Sequence, residues 1–199
     1  MSIFKLALTF FVVTNPIGNA PAILSLVKDF DFSRQKQIMM REGIIALFLA
    51  LFFQFFGEVF LTALNIQDYA LALAGGVILL ITAVGMIFSD DSGAEPGQIK
   101  QEPFIVPIAT PLLSGSGLFS IIMINSRLEN DNLKISGAIM IAWMGILAVL
   151  YASPYLLRLL GKRGLAALEQ IMGLVLAFLA TELLLKGAGK FIKTLQLIG

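Results

Sequence analysis

Residues 14–21 read TNPIGNAP and interrupt an apolar segment that runs from about residue 3 to residue 27. A run of this length is typical of a helix that crosses a bilayer, whose hydrocarbon core is about 30 Å thick. Proline lacks a backbone N–H and glycine tolerates unusual dihedral angles, so this stretch predicts a broken helix. Irregular backbone is tolerated in hydrocarbon only where protein encloses it or where it lines a cavity. The break is therefore predicted to face the inside of a helical bundle.

Five more apolar segments follow, at about residues 43–63, 68–88, 103–125, 135–157 and 168–187. Only 14% of the chain is charged, against about a quarter in soluble domains, and 58% is hydrophobic. We therefore predict an all-α integral membrane protein with six transmembrane helices in a single domain, residues 1–199. The polar stretch 28–42 is predicted to form a short separate helix capped by Asp31 or Ser33. Residues 126–134 and 158–164 are predicted to be short turns.

A second break, TPLLSGSG at residues 110–117, lies in the fourth segment. An offset of 95 residues places Pro16 on Pro111, and an offset of 97 places Gly76 on Gly173. The chain is thereby divided into a first repeat (1–88), a linker (89–102) and a second repeat (103–199). Three spans per repeat give the repeats opposite orientations. Paired broken helices in inverted repeats are typical of secondary transporters, which bind substrate near the bilayer midplane.

The composition excludes several classes of function. The chain has no cysteine and no histidine, so it has no disulfide, no thiolate and neither of the commonest ligands for transition metals. We expect neither an enzyme nor a metal or cofactor site. The net charge is +1 and no basic stripe is present, which argues against nucleic acid as a partner. The expected surroundings are the lipid bilayer, and the sequence leaves a homo-oligomer open.

The two breaks form the candidate substrate site. A helix that starts after a break offers free N–H groups and the positive end of its dipole to an anion. The end of the preceding half-helix offers carbonyl groups to a cation, so a small zwitterion such as an amino acid would use both. Its ammonium would meet carbonyls and Asn15 or Asn19. The alternative interpretation is a structural kink with packing hydroxyls. The candidate residues are Asn15, Pro16, Gly18, Asn19, Pro21, Thr110, Pro111, Ser114, Gly115, Ser116 and Gly117.

Thr181 and Glu182, in the sixth segment, are the candidate ion-coupling residues. An ionisable side chain within a span is often functional, and a Glu182 near the bundle interior would carry a coupling proton, with Na⁺ as the other candidate ion. The alternative for Glu182 is an ion pair with Lys186, four residues later. The alternative for Thr181 is a close helix contact, since Gly173, Ala177 and Thr181 recur at a spacing of four.

The positive charges give a weak orientation. If both termini lie outside, the inner segments carry eight Lys and Arg residues and the outer segments carry six. Because positive residues favour the cytoplasmic side, both termini are predicted to lie outside.

Three segments, TNPIGNAPAILSL, VPIATPLLSGSG and LEQIMGLVLAFLATELLLKG, resemble the MarC family of bacterial inner-membrane proteins. That family includes the SnatA transporters of small neutral amino acids. The resemblance implies six spans, breaks in helices one and four, and ion-coupled movement of glycine, alanine and similar amino acids across the bacterial inner membrane.

The chain departs from the family pattern at three places, which bear on substrate range and on the coupling ion. The family usually has AGPG at residues 114–117, glutamine at Glu182, and a polar or acidic residue at Gly85. Two rival functions remain open. One is a drug exporter of low specificity, and the other is a membrane scaffold or signalling protein without a substrate.

Overall fold

A computed structural model describes residues 1–88, 102–129 and 131–198. Apart from Glu102, the predicted linker 89–102 lies outside the described residues. A π-helical turn, Ile108–Leu113, precedes the fifth α-helix. The α-helices are α1 (Ile3–Thr14), α2 (Pro16–Leu26), α3 (Phe32–Ala63), α4 (Asp68–Ile87), α5 (Ser116–Glu129) and α6 (Asn132–Ile198).

The first predicted span is a broken helix, as its sequence indicates. Asn15 separates α1 from α2 and lies in the left-handed region, with φ 51° and ψ 52°. Asparagine visits this region more readily than most residues because its short polar side chain can bond locally. Pro16 then opens α2 at a position where a missing N–H costs nothing.

The predicted separate helix over 28–42 is wrong, because α3 runs without interruption from Phe32 into the second apolar segment. Its start is the predicted one: the Asp31 carboxylate accepts the N–H groups of Ser33 and Arg34, each at 3.1 Å. No proline or special backbone conformation interrupts the helix between the polar and the apolar part.

Among the described residues, four helical stretches are long and apolar enough to cross a membrane. They are α1 together with α2, α3, α4, and most of α6. The apolar part of α6 has 65 residues, or about 98 Å at 1.5 Å per residue. That length is about three times the thickness of the hydrocarbon core.

Gly161 divides α6 into an N-terminal arm (132–160) and a C-terminal arm (162–198). Its dihedral angles, φ 66° and ψ −179°, are non-helical and fall in a region that is essentially restricted to glycine. The predicted turn over 158–164 is therefore wrong in extent, since the helix is broken at one residue. The fifth and sixth predicted segments fall in separate arms.

The C-terminal arm packs antiparallel to α4 along the length of α4. Gly173 lies against the backbone of Ala83, Gly187 lies against Leu73, and Lys190 pairs with Asp68 at 3.5 Å. A Cβ on Gly187 would lie 3.1 Å from the Leu73 nitrogen, so glycine is needed for this close approach. The N-terminal arm is antiparallel to α3 in the same way, since Gln54 bonds to the Asn132 carbonyl at 2.9 Å while Gly43 lies against Leu147. Trp143 Nε1 donates to the Gly43 carbonyl at 2.8 Å.

Two other pairs of helices are parallel. The N-terminal arm runs beside α1, where Gly137 meets Ile3 and Gly145 meets Phe11. In the same relation, α5 runs beside α3: Phe119 stacks on Phe53 at 4.0 Å between ring centroids, and Met123 lies against Gly57. The breaks thus lie inside a bundle whose remaining helices enclose them.

Candidate substrate site at the two helix breaks

A partly open cavity of about 100 Å³ lies between the two breaks and is bordered on its other sides by α4 and α6. Its wall is mixed: asparagine amides and helix-terminal backbone on one part, aliphatic side chains on the rest. The lining residues are Val13, Asn15, Asn19, Ile78, Leu79, Thr82, Pro111, Leu112, Leu113, Gly115, Ser116, Gly117, Leu118 and Leu176.

Asn15 holds the first break in shape with its own polar atoms. Its Oδ1 accepts the Gly18 N–H at 3.2 Å and its Nδ2 lies 3.3 Å from the Met86 sulfur. Its carbonyl accepts the Asn19 N–H at 2.9 Å. The N-terminus of α2 is therefore capped by the protein, which reduces its capacity to bind an anion.

Asn19 joins the two breaks. Its Nδ2 donates to the Thr14 carbonyl at 3.0 Å and to the Leu112 carbonyl at 2.7 Å. Among the described residues its Oδ1 has no hydrogen-bond partner, and the side chain borders the cavity. The amide oxygen of Asn19 is thus an acceptor that a bound ammonium group can use.

The second break is built from the π-helical turn. Thr110, with φ −139° and ψ 135°, interrupts the turn, and the Ser114 N–H returns to the Ala109 carbonyl at 2.9 Å. The Ser114 hydroxyl donates to the Ala46 carbonyl at 3.0 Å, which fastens the break to α3. Ser114 is fully buried and does not reach the cavity.

The N-terminus of α5 differs from that of α2 because no side chain of the described residues caps it. The first hydrogen bond of α5 runs from the Phe119 N–H to the Gly115 carbonyl at 3.1 Å. Within the described parts of the chain, the N–H groups of Ser116, Gly117 and Leu118 have no acceptor. All three residues border the cavity. Free N–H groups at the positive end of a helix dipole are suited to a carboxylate.

Six of the eleven predicted substrate-site residues border the cavity: Asn15, Asn19, Pro111, Gly115, Ser116 and Gly117. Five do not, namely Pro16, Gly18, Pro21, Thr110 and Ser114. Gly18 makes room for the cap instead, since a Cβ there would lie 2.5 Å from the Asn15 Nδ2 and 2.7 Å from its Oδ1.

Sequence reasoning missed the contribution of α4, from which Ile78, Leu79 and Thr82 reach the cavity. Thr82 carries a hydroxyl group within a long apolar run, and this feature of the sequence could have identified it as a candidate site residue. The aliphatic residues of the cavity wall do not differ from their apolar neighbours in the sequence, so they could not be identified.

The structure places Thr181 and Glu182 away from the cavity. Both are exposed, and the Glu182 side chain is 59% accessible. The premise that Glu182 faces the bundle interior is therefore wrong. Its Oε1 pairs with Lys186 Nζ at 3.1 Å, as the alternative interpretation stated. Nowhere in residues 1–88, 102–129 or 131–198 do three acidic residues cluster closely enough to hold a metal ion.

An ionic network around the buried Glu42, which the sequence did not reveal, holds the start of the second half. Glu42 is fully buried in α3, pairs with Arg41 at 2.8 Å and accepts the Ile105 N–H at 2.9 Å. Arg41 also donates to the Pro103 carbonyl and to Glu102. The Glu102 carboxylate pairs with Arg34 at 2.7 Å as well, and the hydrogen bond from Arg34 is the main cause of its lowered pKa.

Comparisons with known proteins show which family the chain resembles. The family model described as MarC family integral membrane protein matches residues 1–192. The UPF0056 inner membrane protein YhgN of Escherichia coli is 37% identical over 193 residues, covering 96% of this chain and 98% of its own.

A UPF0056 membrane protein of Buchnera aphidicola is 35% identical over 192 residues, with 96% and 98% coverage. One from Chlamydia muridarum is 34% identical over 189 residues, with 93% and 92% coverage. No solved structure matches the chain.

Proposed function

Because the chain belongs to the MarC family of integral membrane proteins, we propose that it is a secondary transporter of small neutral amino acids such as glycine and alanine. It works by alternating access and is driven by a gradient of H⁺ or Na⁺. Its location is the bacterial inner membrane, since the E. coli relative is named an inner membrane protein. It performs no catalysis.

The observation that carries this proposal is the pairing of two opposite binding groups in one small cavity. The free N–H groups of Ser116, Gly117 and Leu118 bind the substrate carboxylate. The Asn19 Oδ1 accepts the substrate ammonium. Asn15, whose amide is already bonded to Gly18 and Met86, shapes the break and has no direct part in binding.

The depth of the cavity supports a transport site. Twelve helical residues precede Asn15, or about 18 Å of a core about 30 Å thick. A site at this depth is accessible from either face only if the surrounding helices move. Substrate sites of secondary transporters lie at this level, between repeats.

The helix directions support two inverted repeats. In this proposal each repeat has three spans. The first repeat consists of α1 with α2, then α3, then α4. The second consists of the π-helical turn with α5, then the N-terminal arm of α6, then its C-terminal arm. The first repeat's middle helix, α3, is antiparallel to its counterpart, the N-terminal arm of α6. Its last helix, α4, is antiparallel to the C-terminal arm. Both termini then lie on one face, and the distribution of Lys and Arg supports the outside for that face.

The size of the cavity favours this function over drug export. Pockets for drug-sized ligands occupy roughly 300–1,000 Å³, and this cavity has about 100 Å³. A space of that size holds about three water molecules, which matches a very small solute.

The test is exchange of labelled glycine and alanine in proteoliposomes under an imposed H⁺ or Na⁺ gradient, with leucine and a cationic dye as comparison solutes. Thr82→Phe fills the cavity from α4 and abolishes exchange. Thr82→Val is the matched control: the hydroxyl bonds only within its own helix, to the Ile78 carbonyl, so exchange persists.

Three results would count against the proposal. Failure of the unaltered protein to exchange or bind any amino acid refutes the function and favours the scaffold. Normal exchange by Thr82→Phe refutes this location of the site. Movement of the dye without amino acids favours the exporter.

A further inference from the structure

A groove between α5 and the C-terminal arm of α6 has a lysine-rich wall and an aliphatic base. Its free volume is about 270 Å³, and α4 borders it through the buried Ala72. The lining residues are Ala72, Ile124, Leu128, Leu183, Lys186, Gly189, Lys190 and Lys193.

Helical periodicity places the three lysines of the groove on one side of the C-terminal arm. Lys186, Lys190 and Lys193 follow each other at spacings of four and three residues. Residues at these spacings share one face of a helix. Gly187, which packs against Leu73 of α4, lies on the adjacent face. The lysine side chains are therefore not used in the contact between the arm and α4.

The outer part of the groove has fewer carboxylates than cations. Lys190 pairs with Asp68 at 3.5 Å, and Arg127 of α5 pairs with the same carboxylate at 2.5 Å. Lys193 is exposed and has no ion pair within the described part of the chain. One carboxylate thus serves two cations, and a third cation beside them has none.

The inner part of the groove does not correct this imbalance. Lys186 pairs with Glu182 at 3.1 Å, which accounts for one carboxylate and one cation. The surplus around the groove is two positive charges, since the three lysines and Arg127 pair only with Asp68 and Glu182. Each lysine ammonium has three N–H donors, so the paired lysines retain donors for a further acceptor.

The groove crosses the level at which the hydrocarbon core ends. The 20 residues of α4 span about 30 Å, the thickness of that core, and Asp68 is the first of them. Lys190, which pairs with Asp68, therefore lies at the boundary with the headgroups. Lys193 is about one turn further out, and Leu183 lies about 10 Å deeper along the helix axis. The ammonium groups are thus at headgroup level, above an aliphatic surface.

The groove also has room for an aliphatic chain. Gly189 lies in its wall between the lysines, and a Cβ at this position would meet no atom within 4 Å. On the opposite wall Leu128 is 65% exposed, so α5 does not close the space. Packing between the helices does not require a glycine here, in contrast to Gly187.

We propose that this groove binds an anionic phospholipid of the surrounding bilayer. Its phosphate contacts Lys190 and Lys193, and one acyl chain lies along Leu183 and Ile124. Basic pockets between transmembrane helices are suited to anionic headgroups. A zwitterionic phospholipid would leave the surplus positive charge uncompensated, and a soluble anion would leave the aliphatic base uncovered. The bound lipid joins α4, α5 and the C-terminal arm, whether or not the protein transports amino acids.

The first test is native mass spectrometry of the purified protein with added phosphatidylglycerol or with phosphatidylethanolamine of the same acyl chains. We expect severalfold more retained phosphatidylglycerol than phosphatidylethanolamine. Lys193→Gln lowers the retained phosphatidylglycerol severalfold. Lys5→Gln is the matched control, because Lys5 is exposed and lies outside the groove. It is also at the same end of the bundle, where the Met1 ammonium pairs with Glu129.

The second test fills the groove at unchanged charge. Gly189→Leu places an aliphatic side chain in the space of the acyl chain and lowers the retained phosphatidylglycerol severalfold. Gly85→Leu is the matched control, since a Cβ at Gly85 also meets no atom within 4 Å but lies on α4 outside the groove. Leucine is a good helix former, so both variants retain the fold, which thermal unfolding checks.

Four outcomes overturn the proposal. Equal retention of the two phospholipids would show that the headgroup charge is not recognised. An equal loss in Lys5→Gln and Lys193→Gln would assign the effect to the general surface charge. Full retention in a folded Gly189→Leu would place the lipid outside the groove. Displacement of the lipid by an equal concentration of glycerol phosphate would assign the lysines to a soluble anion.

Discussion

Asn15 and Asn19 are four residues apart and have different tasks. Asn15 supplies the left-handed backbone and caps α2, while Asn19 bonds to backbone on both sides and offers one free oxygen to the cavity. The sequence identified both as site residues but did not separate the structural role from the binding role. That separation depends on which atoms are already bonded, and composition does not contain this information.

The first prediction separates these contributions at Asn15. Asn15→Ala loses the cap and strains the left-handed backbone, so it lowers the free energy of unfolding by about 2–3 kcal/mol. Asn15→Gly keeps the backbone conformation and loses far less, because glycine is a tolerable cap. Chemical denaturation of the purified variants measures both. Equal losses of unfolding free energy in the two variants would contradict the contribution of the left-handed backbone conformation.

A second prediction concerns Glu42, the buried carboxylate of α3. Glu42→Gln removes the charge that pairs with Arg41 and weakens the hold on the Ile105 N–H, at a cost of about 1–3 kcal/mol of stability. Hydrogen exchange at Ile105 becomes faster. Glu58→Gln, an exposed position on the same helix, is the control and changes stability by less than about 0.5 kcal/mol. Unchanged exchange at Ile105 in Glu42→Gln would contradict the prediction.

At the scale of the helices, apolar length and the positions of proline, glycine and asparagine predicted the described elements well. The break at residues 14–21 and the helix start after Asp31 were read from local chemistry alone. The continuity of α3 and the single-residue break in α6 were not. One polar stretch was interpreted as a separate helix (28–42) and the other as a turn (158–164), although polar residues with good helix propensity extend a helix beyond the apolar core.

The third prediction tests the break in α6. Gly161→Ala meets no neighbouring atom within 4 Å, so its cost is purely conformational, about 1–3 kcal/mol for a backbone region that only glycine enters readily. Gly189→Ala is the control, since it also meets no atom within 4 Å but lies in regular helix. That variant is neutral or more stable by up to about 1 kcal/mol. Thermal unfolding compares the two, and equal effects would refute the strained conformation.

For the whole molecule, the sequence offsets of 95 and 97 predicted corresponding breaks but not how the two halves are tied together. Charged residues make these ties at both ends of the bundle. At one end Arg34 and Arg41 of α3 hold Glu102, and at the other Asp68 of α4 pairs with Arg127 and Lys190. Such pairs join residues distant in sequence, and a pattern of local spacing contains no trace of them.

The fourth prediction is the pH dependence of the Arg34–Glu102 tie. The hydrogen bond from Arg34 lowers the Glu102 pKa below its usual value, near 4.3, with a further contribution from Arg41. The stabilisation is therefore complete above that usual value and is lost as the pH falls through the lowered pKa. The hydrogen exchange of the peptide that covers residues 102–108, corrected for the pH dependence of the intrinsic rate, becomes faster in that acidic range. In Glu102→Gln it is already fast at neutral pH, and a retained acidic step there would contradict the assignment.

Trp143 has a consequence for observing the proposed transport cycle. It is the single tryptophan of the chain, it is buried, and its indole N–H is bonded to the Gly43 carbonyl across the contact of α3 with the N-terminal arm of α6. Any rocking that separates these helices exchanges that bond for another partner and changes the polarity around the ring. The protein thus carries a built-in optical reporter, and its ultraviolet emission can follow the working molecule in real time without a dye.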